Sequence, residues 1–262
     1  MSPYHYPDFK DVLILKFLEK FEKDDPYWEE SERAILDRIF DYIGRKEGFR
    51  YERCLDAGCG RGRLLWVFRK LFRVITAIEP DGDRFAEAVE MAEAFGMSEK
   101  TTMQQVSAEE FASDDRFDLI FCSHVIQHIH TDHVLPLMKN LAHHLSDNGV
   151  IALTTCHSTG DVDQYGNNYL QNGTPVRETV SREEFNNLVN SSGVLPVHYF
   201  HAEQMMSDFA DIGLKTVDFR VFHVAREERD VLRQPDIDNY VNASPDLQQR
   251  YGVDMFLLLE KG

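Results

Sequence analysis

The stretch Arg53-Cys54-Leu55-Asp56-Ala57-Gly58-Cys59-Gly60-Arg61-Gly62-Arg63 constrains the fold of this chain more than any other. A short apolar run ends at an acidic residue, three glycines follow at every second position, and a helical pattern begins directly afterwards. That order reads as a strand feeding a cofactor loop. With no Cβ at positions 58, 60 and 62, the backbone can turn sharply and lie against a ligand, with its N–H groups aimed at whatever sits there. A dinucleotide fingerprint wants its third glycine at position 63, where this chain has Arg63, so the spacing is G-x-G-x-G.

Around this loop the hydrophobic pattern alternates between strand-like and helix-like segments. Strands are expected at 53–57, 74–78, 102–106, 117–122, 149–155, 216–224 and 253–259, with helices at about 64–72, 83–95, 131–145 and 202–212. Two further helices are expected ahead of the loop, at 11–22 and 31–43. The second carries Ile35, Ile39 and Ile43 on one face, Asp24 to Trp28 form a turn before it, and Gly44 stops it. Ser181 and Glu184 carry the spacing of a capping box. Residues 157–175, rich in Gly, Asn, Asp, Ser and Thr, read as a long irregular insertion after the fifth strand, and 225–251 as a charged irregular insertion before the last.

Strands alternating with helices in this way give an α/β fold with a doubly wound, mostly parallel sheet. The chain of 262 residues is long enough for one large domain of this kind. Within it, residues 1–48 are expected to form a helical N-terminal cap and 49–156 the cofactor-binding core. A substrate lid would span 157–205, and 206–262 would carry the C-terminal strands. Lys and Arg number 28 against 45 Asp and Glu, a net charge of −17 without any basic block, which argues against a nucleic-acid substrate. No apolar run approaches a membrane span, and the first residues lack the pattern of a secretory signal. Cys54, Cys59, Cys122 and Cys156 lie on or beside core strands without metal-type spacing, as buried reduced thiols of a cytoplasmic protein do.

The glycine stretch fills every position of (D/E)-x-G-x-G-x-G, the first motif of the class I S-adenosylmethionine-dependent methyltransferases, and the chain resembles that family through roughly residues 50–155. Glu79 follows the second strand, Phe117-Asp118-Leu119-Ile120 matches the fourth-strand motif, and Val125-Ile126-Gln127-His128-Ile129 matches the loop after it. The resemblance implies a Rossmann-like seven-stranded sheet whose last strand is antiparallel, S-adenosylmethionine as cofactor and S-adenosylhomocysteine as product. It places cofactor contacts at Asp56, Gly58, Cys59, Gly60 and Gly62. Glu79 and Pro80 would lie at the ribose, Ser107, Ala108 and Glu109 near the adenine, and Ser123 against the methionine part. Many family members have an acidic residue where this chain has Ser107.

The acceptor is less marked. The resemblance makes His128 a candidate base or a structural residue beneath the cofactor loop, since relatives use the matching histidine in both ways, and it places His124 near the transferred methyl. Methyl transfer needs no metal. The series His124, His128, His130 and His133 has no carboxylate at a matching position, so no metal ligands are assigned. Tyr4, Tyr6, Tyr27 and Trp28 are candidate lid residues by the same resemblance. Tyr165, Tyr169, Tyr199 and His201 can line an aromatic acceptor pocket or simply pack. The expected activity is methylation of an oxygen or nitrogen of a small metabolite, an amine or a phenol. A protein N-terminal amine methyltransferase, an NAD-dependent dehydrogenase and a silent cofactor-binding subunit are the alternatives. The first of these loses ground because its Asp-Asn pair after strand five is Cys156-His157 here. The sequence leaves the oligomeric state open.

Overall fold

The computed structural model describes residues 26–172, 174–223 and 234–262. Seven strands form the central sheet: β1 (Arg53–Ala57), β2 (Val74–Ile78), β3 (Thr101–Gln104), β4 (Phe117–Ser123), β5 (Leu145–Cys156), β9 (Leu214–Phe222) and β10 (Asp254–Lys261). Their spatial order is β3-β2-β1-β4-β5-β10-β9. The pairs from β3 to β5 are parallel, and β10 runs antiparallel between β5 and β9. The chain reverses direction across the sheet between β1 and β4, and the carboxyl ends there open a crevice.

The central strands are apolar on both faces because helices cover both, while the edge strands β3 and β9 are more polar and only partly buried. On one face, α1 (Pro26–Arg45), α2 (Leu65–Leu71) and α3 (Gly82–Ala94) pack Ile39, Ile43, Phe68 and Ala88 against Cys54, Leu119 and Phe121. On the other, α4 (Val134–His144), α6 (Ala202–Asp211) and α7 (Gln234–Val241) pack Leu137, Leu141, Met205 and Val241 against Leu55, Ile120 and Leu257. Arg38 of α1 pairs with Asp218 on β9, and the Tyr42 hydroxyl donates to Glu260 on β10 at 2.6 Å. Burial, together with that carboxylate, pushes the Tyr42 hydroxyl up to about 12.

Several expectations are corrected. Pro26, Tyr27 and Trp28 begin α1 rather than forming a turn, since proline without an N–H suits a first helical turn. Gly44 does not stop that helix; it runs to Arg45, and Gly48 at φ +75° turns the chain after it. The fifth strand begins at Leu145. Phe117 faces Leu145 while Leu119 faces Val150, so residues 146–149 are looped out of the register. The helix at 11–22 and the residues Tyr4 and Tyr6 lie outside the described residues.

The largest correction concerns the lid. Residues 157–163 are irregular as expected, but the stretch after them is not: β6 (Gln164–Gln171) pairs antiparallel with β7 (Thr174–Thr179) and with β8 (Leu195–Tyr199) in a separate three-stranded sheet. Tyr165, Asn167 and Tyr169 alternate with Gly166, Asn168 and Leu170, a two-residue period that the Gly and Asn content masked. The capping box at Ser181 and Glu184 forms as expected and starts α5 (Arg182–Leu188). The described part of 225–251 is also ordered, holding α7 and α8 (Pro245–Tyr251).

Candidate active site

The glycine loop turns directly from β1, with Gly58, Gly60 and Gly62 all at positive φ, from +55° to +85°. A Cβ on Gly58 would overlap the Val125 side chain, and one on Gly62 would press against Ala88 of α3 at 3.3 Å. Gly60 differs, because a Cβ there would meet only the end of Arg84 at 3.8 Å. Its α-carbon faces open space over the crevice, which fits the close approach of a flat ligand.

Glu79 ends β2 beside this loop. One carboxylate oxygen accepts from the Gly60 N–H at 2.9 Å and the other from the Asp81 N–H at 3.0 Å. Burial pushes its carboxyl up, while Arg84 and those two backbone donors pull it back. A carboxylate fixed by backbone keeps lone pairs for two vicinal hydroxyls. Asp56 is 4% exposed, and burial moves it up to about 7, Arg63 opposing and Glu79 reinforcing the shift. Arg63 itself reaches Glu32 on α1, with a second contact at 2.6 Å, so the helical cap touches the loop. Cys59 is buried in the loop, and Pro80 accepts from Gln105 at 3.4 Å.

Ser107 and Ala108 are buried in the loop that joins β3 to β4. The Ser107 hydroxyl accepts from the Glu110 N–H at 3.3 Å, and Asn140 donates to the Ala108 carbonyl at 2.8 Å. The Glu109 carboxylate lies 3.0 Å from Nδ1 of His133, which gives that side chain a partner within the protein. Ser123 shares a 2.8 Å hydrogen bond with Thr154.

The two histidines named from the sequence part company. His128 is buried, its Nδ1 2.8 Å from the Pro196 carbonyl, and burial brings its ring down to about 4. It is therefore a neutral imidazole that donates to β8 and ties the small sheet to the loop after β4. His124 stands half-buried at φ +53°, its backbone N–H bonded to Thr154 and its Nδ1 3.2 Å from the Gln127 side-chain oxygen. Beyond it lie Cys156 at the end of β5 and Asp254 at the start of β10, facing each other across the ladder. His223 places Nδ1 2.7 Å from the Asp254 carboxylate, with both side chains buried. Burial works to raise Asp254, yet His223 and His124 outweigh it and hold the carboxyl below its ordinary range.

Asp254, His223 and Gln127 were not singled out from the sequence. Gln127 accepts from Thr155 and the Cys156 N–H, both at 3.1 Å, and so fixes the end of β5. Its place inside the Val125–Ile129 motif was a usable signal; nothing local marks Asp254 or His223. The small sheet supplies a wall, with Tyr199, Asn168 and Arg177 influencing one another and the Cys156 end of β5. Tyr165 packs instead on His198 and Phe185, and Tyr169 is bonded to Glu178 away from the crevice. His201 lines a separate cleft of about 300 Å³ with Asp161 and Asp163.

The family described as methyltransferase domain matches residues 27–218. The chain belongs to that family. A ubiquinone biosynthesis O-methyltransferase of Rickettsia felis is 31% identical to this methyltransferase over 155 residues, 55% of the chain and 62% of the relative. The chain thus spans less than two thirds of the curated relatives' length. Among solved structures, an S-adenosylmethionine-dependent methyltransferase from Clostridium acetobutylicum superposes with a TM-score of 0.61 at 14% identity, covering 95% of this chain and 99% of that one. The 1,6-didemethyltoxoflavin-N1-methyltransferase of Burkholderia thailandensis, bound to its substrate and S-adenosylhomocysteine, gives 0.55 at 15% identity, covering 100% and 92%. At such identities these structures establish a common fold, the Rossmann-like sheet with its antiparallel β10.

Proposed function

We propose that this methyltransferase moves a methyl group from S-adenosylmethionine to a hydroxyl oxygen of a small metabolite, with a phenol-type hydroxyl favoured over an amine. The observation that carries the reading is Glu79, buried and fixed by two backbone N–H groups beside the open α-carbon of Gly60. The residues fit the cofactor: Glu79 would accept from the ribose hydroxyls and the glycine loop would hold the amino-acid part, with Ser107, Ala108, Ser123 and Pro80 as further contacts. The bound cofactor supplies a methyl carbon made electrophilic by a sulfonium.

The chain's own contribution is placement and the exclusion of water. The small sheet closes the acceptor side, held by His128 to Pro196 and by Arg182 to Asp132 at 2.8 Å. His128 is then a positioning residue, and His124, beside the Asp254 carboxylate, is the group placed to meet the acceptor. Oxygen is favoured because the curated relatives are named O-methyltransferases and because an imidazole flanked by a carboxylate suits a hydroxyl proton. The four free cysteines support a cytoplasmic setting.

The test is calorimetric titration with S-adenosylmethionine, S-adenosylhomocysteine and NAD, repeated with Glu79→Ala. The adenosyl ligands are expected to bind and NAD not to. Losing hydrogen bonds to a charged group costs about 1.5–3 kcal/mol, so affinity falls roughly 10- to 100-fold in the variant. Binding of NAD alone would overturn the reading. Transfer of labelled methyl to phenols rather than amines then decides the acceptor class.

A further inference from the structure

His124, Cys156 and Asp254 converge where β4 and β5 end and β10 begins, and one donor atom from each lies within 4.8 Å of the other two. Their placement is set by the backbone. Cys156 and Asp254 are register partners, and His124 is anchored through its N–H to Thr154 at 2.9 Å. Only four described non-glycine residues have positive φ; two are asparagines, and the others are His124 and His223. A histidine in that conformation is uncommon and costs on the order of 1 kcal/mol or more. Both of these lie beside the same carboxylate, Asp254.

We propose that His124, Cys156 and Asp254 bind a divalent transition cation of the zinc class, leaving an open coordination position for an oxygen of the methyl acceptor. The acceptor part rests on the function proposed above, with His124 then acting on the acceptor oxygen through the cation in place of its role as a free base; the cation part does not. The Cys156 thiol, which hydrogen-bonds to Asp254, releases its proton to solvent on binding; one imidazole, the resulting thiolate and one carboxylate then form a zinc-type donor set, and three protein ligands with an open position are the catalytic rather than the structural arrangement. Magnesium and calcium favour all-oxygen sites and are disfavoured by the sulfur. Two negative ligands balance the dication. Bonds of about 2.0–2.3 Å put tetrahedral ligands roughly 3.3–3.8 Å apart, so closure needs side-chain rotations of about 1 Å. In the tautomer that donates Nδ1–H to Gln127, His124 presents Nε2, and His223 steadies the carboxylate from outside, as outer partners of metal ligands do. The motif around His124 offered no carboxylate because Asp254 arrives from the last strand.

The chelator-treated full chain is titrated with Co²⁺ as the probe. A thiolate-to-cobalt charge-transfer band in the near ultraviolet, with tetrahedral visible bands, is expected at one equivalent and is displaced by Zn²⁺. Cys156→Ser, which changes one atom, should abolish the charge-transfer band, and Asp254→Asn should weaken cobalt binding by about tenfold or more. Binding of S-adenosylhomocysteine by each variant shows that it is folded. Absence of the band in the wild type, or its persistence in a folded Cys156→Ser protein, overturns the proposal. Failure of the wild type to bind S-adenosylhomocysteine counts against the proposed function and leaves the cobalt result to stand by itself.

Discussion

The two halves of the crevice are built by different means. On the cofactor side, the contacts join residues close in sequence: Gly60 to Glu79 spans 19 positions, and Asp81 to Glu79 spans 2. They use backbone N–H groups and the absence of Cβ atoms. On the proposed acceptor side, Asp254 meets His223 over 31 positions, and it faces Cys156 across the sheet. They use side chains delivered by strand register. A site made of backbone leaves a contiguous motif, whereas a site made of register leaves isolated residues with no shared pattern.

The strongest way to break the backbone-built half is Gly58→Ala. The added Cβ would overlap Val125 while φ stays at +85°, a region that costs an alanine roughly 1–2 kcal/mol before any clash. Calorimetry should show S-adenosylhomocysteine binding weakened more than about 100-fold, or the fold lost. Adding Val125→Ala removes the overlapping atom and should recover part of that loss. Gly96→Ala is the matched control, also at positive φ, where a Cβ meets nothing within 4 Å. Equal damage from Gly58→Ala and Gly96→Ala would mean that backbone strain alone accounts for the effect.

The same contrast explains what could be read from the chain. β2 was placed to the residue, and Glu79 with it, because an apolar β-branched run ends at a charge beside a glycine loop. The strand β10 was legible from its apolar run Met255–Leu259, and its antiparallel direction only from the family resemblance. The small sheet was not, since Gly166, Asn167 and Asn168 look like loop residues and become strand only through pairing with β8. The turn expected through Trp28 is helix from Pro26 onward because proline serves both turns and first helical turns. Asp254 reads simply as the residue before an apolar strand. Its partners are 31 and 98 positions away, a separation that no periodicity carries.

A smaller effect sharpens the boundary between the halves. His128 sits at that boundary, and burial lowers its ring from 6.5 to about 4. The unfolded chain therefore binds a proton that the folded chain refuses between those values, and stability falls as pH drops from about 6.5 to 4. The shift corresponds to roughly 3 kcal/mol. In His128→Asn the term is missing, so the stability difference between wild type and variant, measured in urea, should be largest above pH 6.5 and shrink by about that amount at pH 4. A pH-independent difference would show that the ring is not held neutral. The loss should appear in the docking of the small sheet, with S-adenosylhomocysteine affinity changed much less than by Gly58→Ala.

The smallest effect tests whether α1 belongs to the cofactor half. Arg63 occupies the position where a dinucleotide loop has its glycine, and it points to Glu32 on α1 with 64% of its side chain exposed against 24% for Glu32. An exposed pair of this kind contributes well under about 1 kcal/mol and is screened by salt. Arg63→Ala should therefore barely change the unfolding midpoint. Arg63 also opposes the upward shift of buried Asp56, so its removal lets that carboxyl rise further. Glu32 pushes the same carboxyl up, so the measurable sign is in ligand binding: the pH below which S-adenosylhomocysteine affinity changes should move upward in Arg63→Ala and downward in Glu32→Gln. If neither variant moves it, the loop's electrostatics are set by Glu79 and the backbone alone, and the contact with α1 is packing rather than part of the cofactor site.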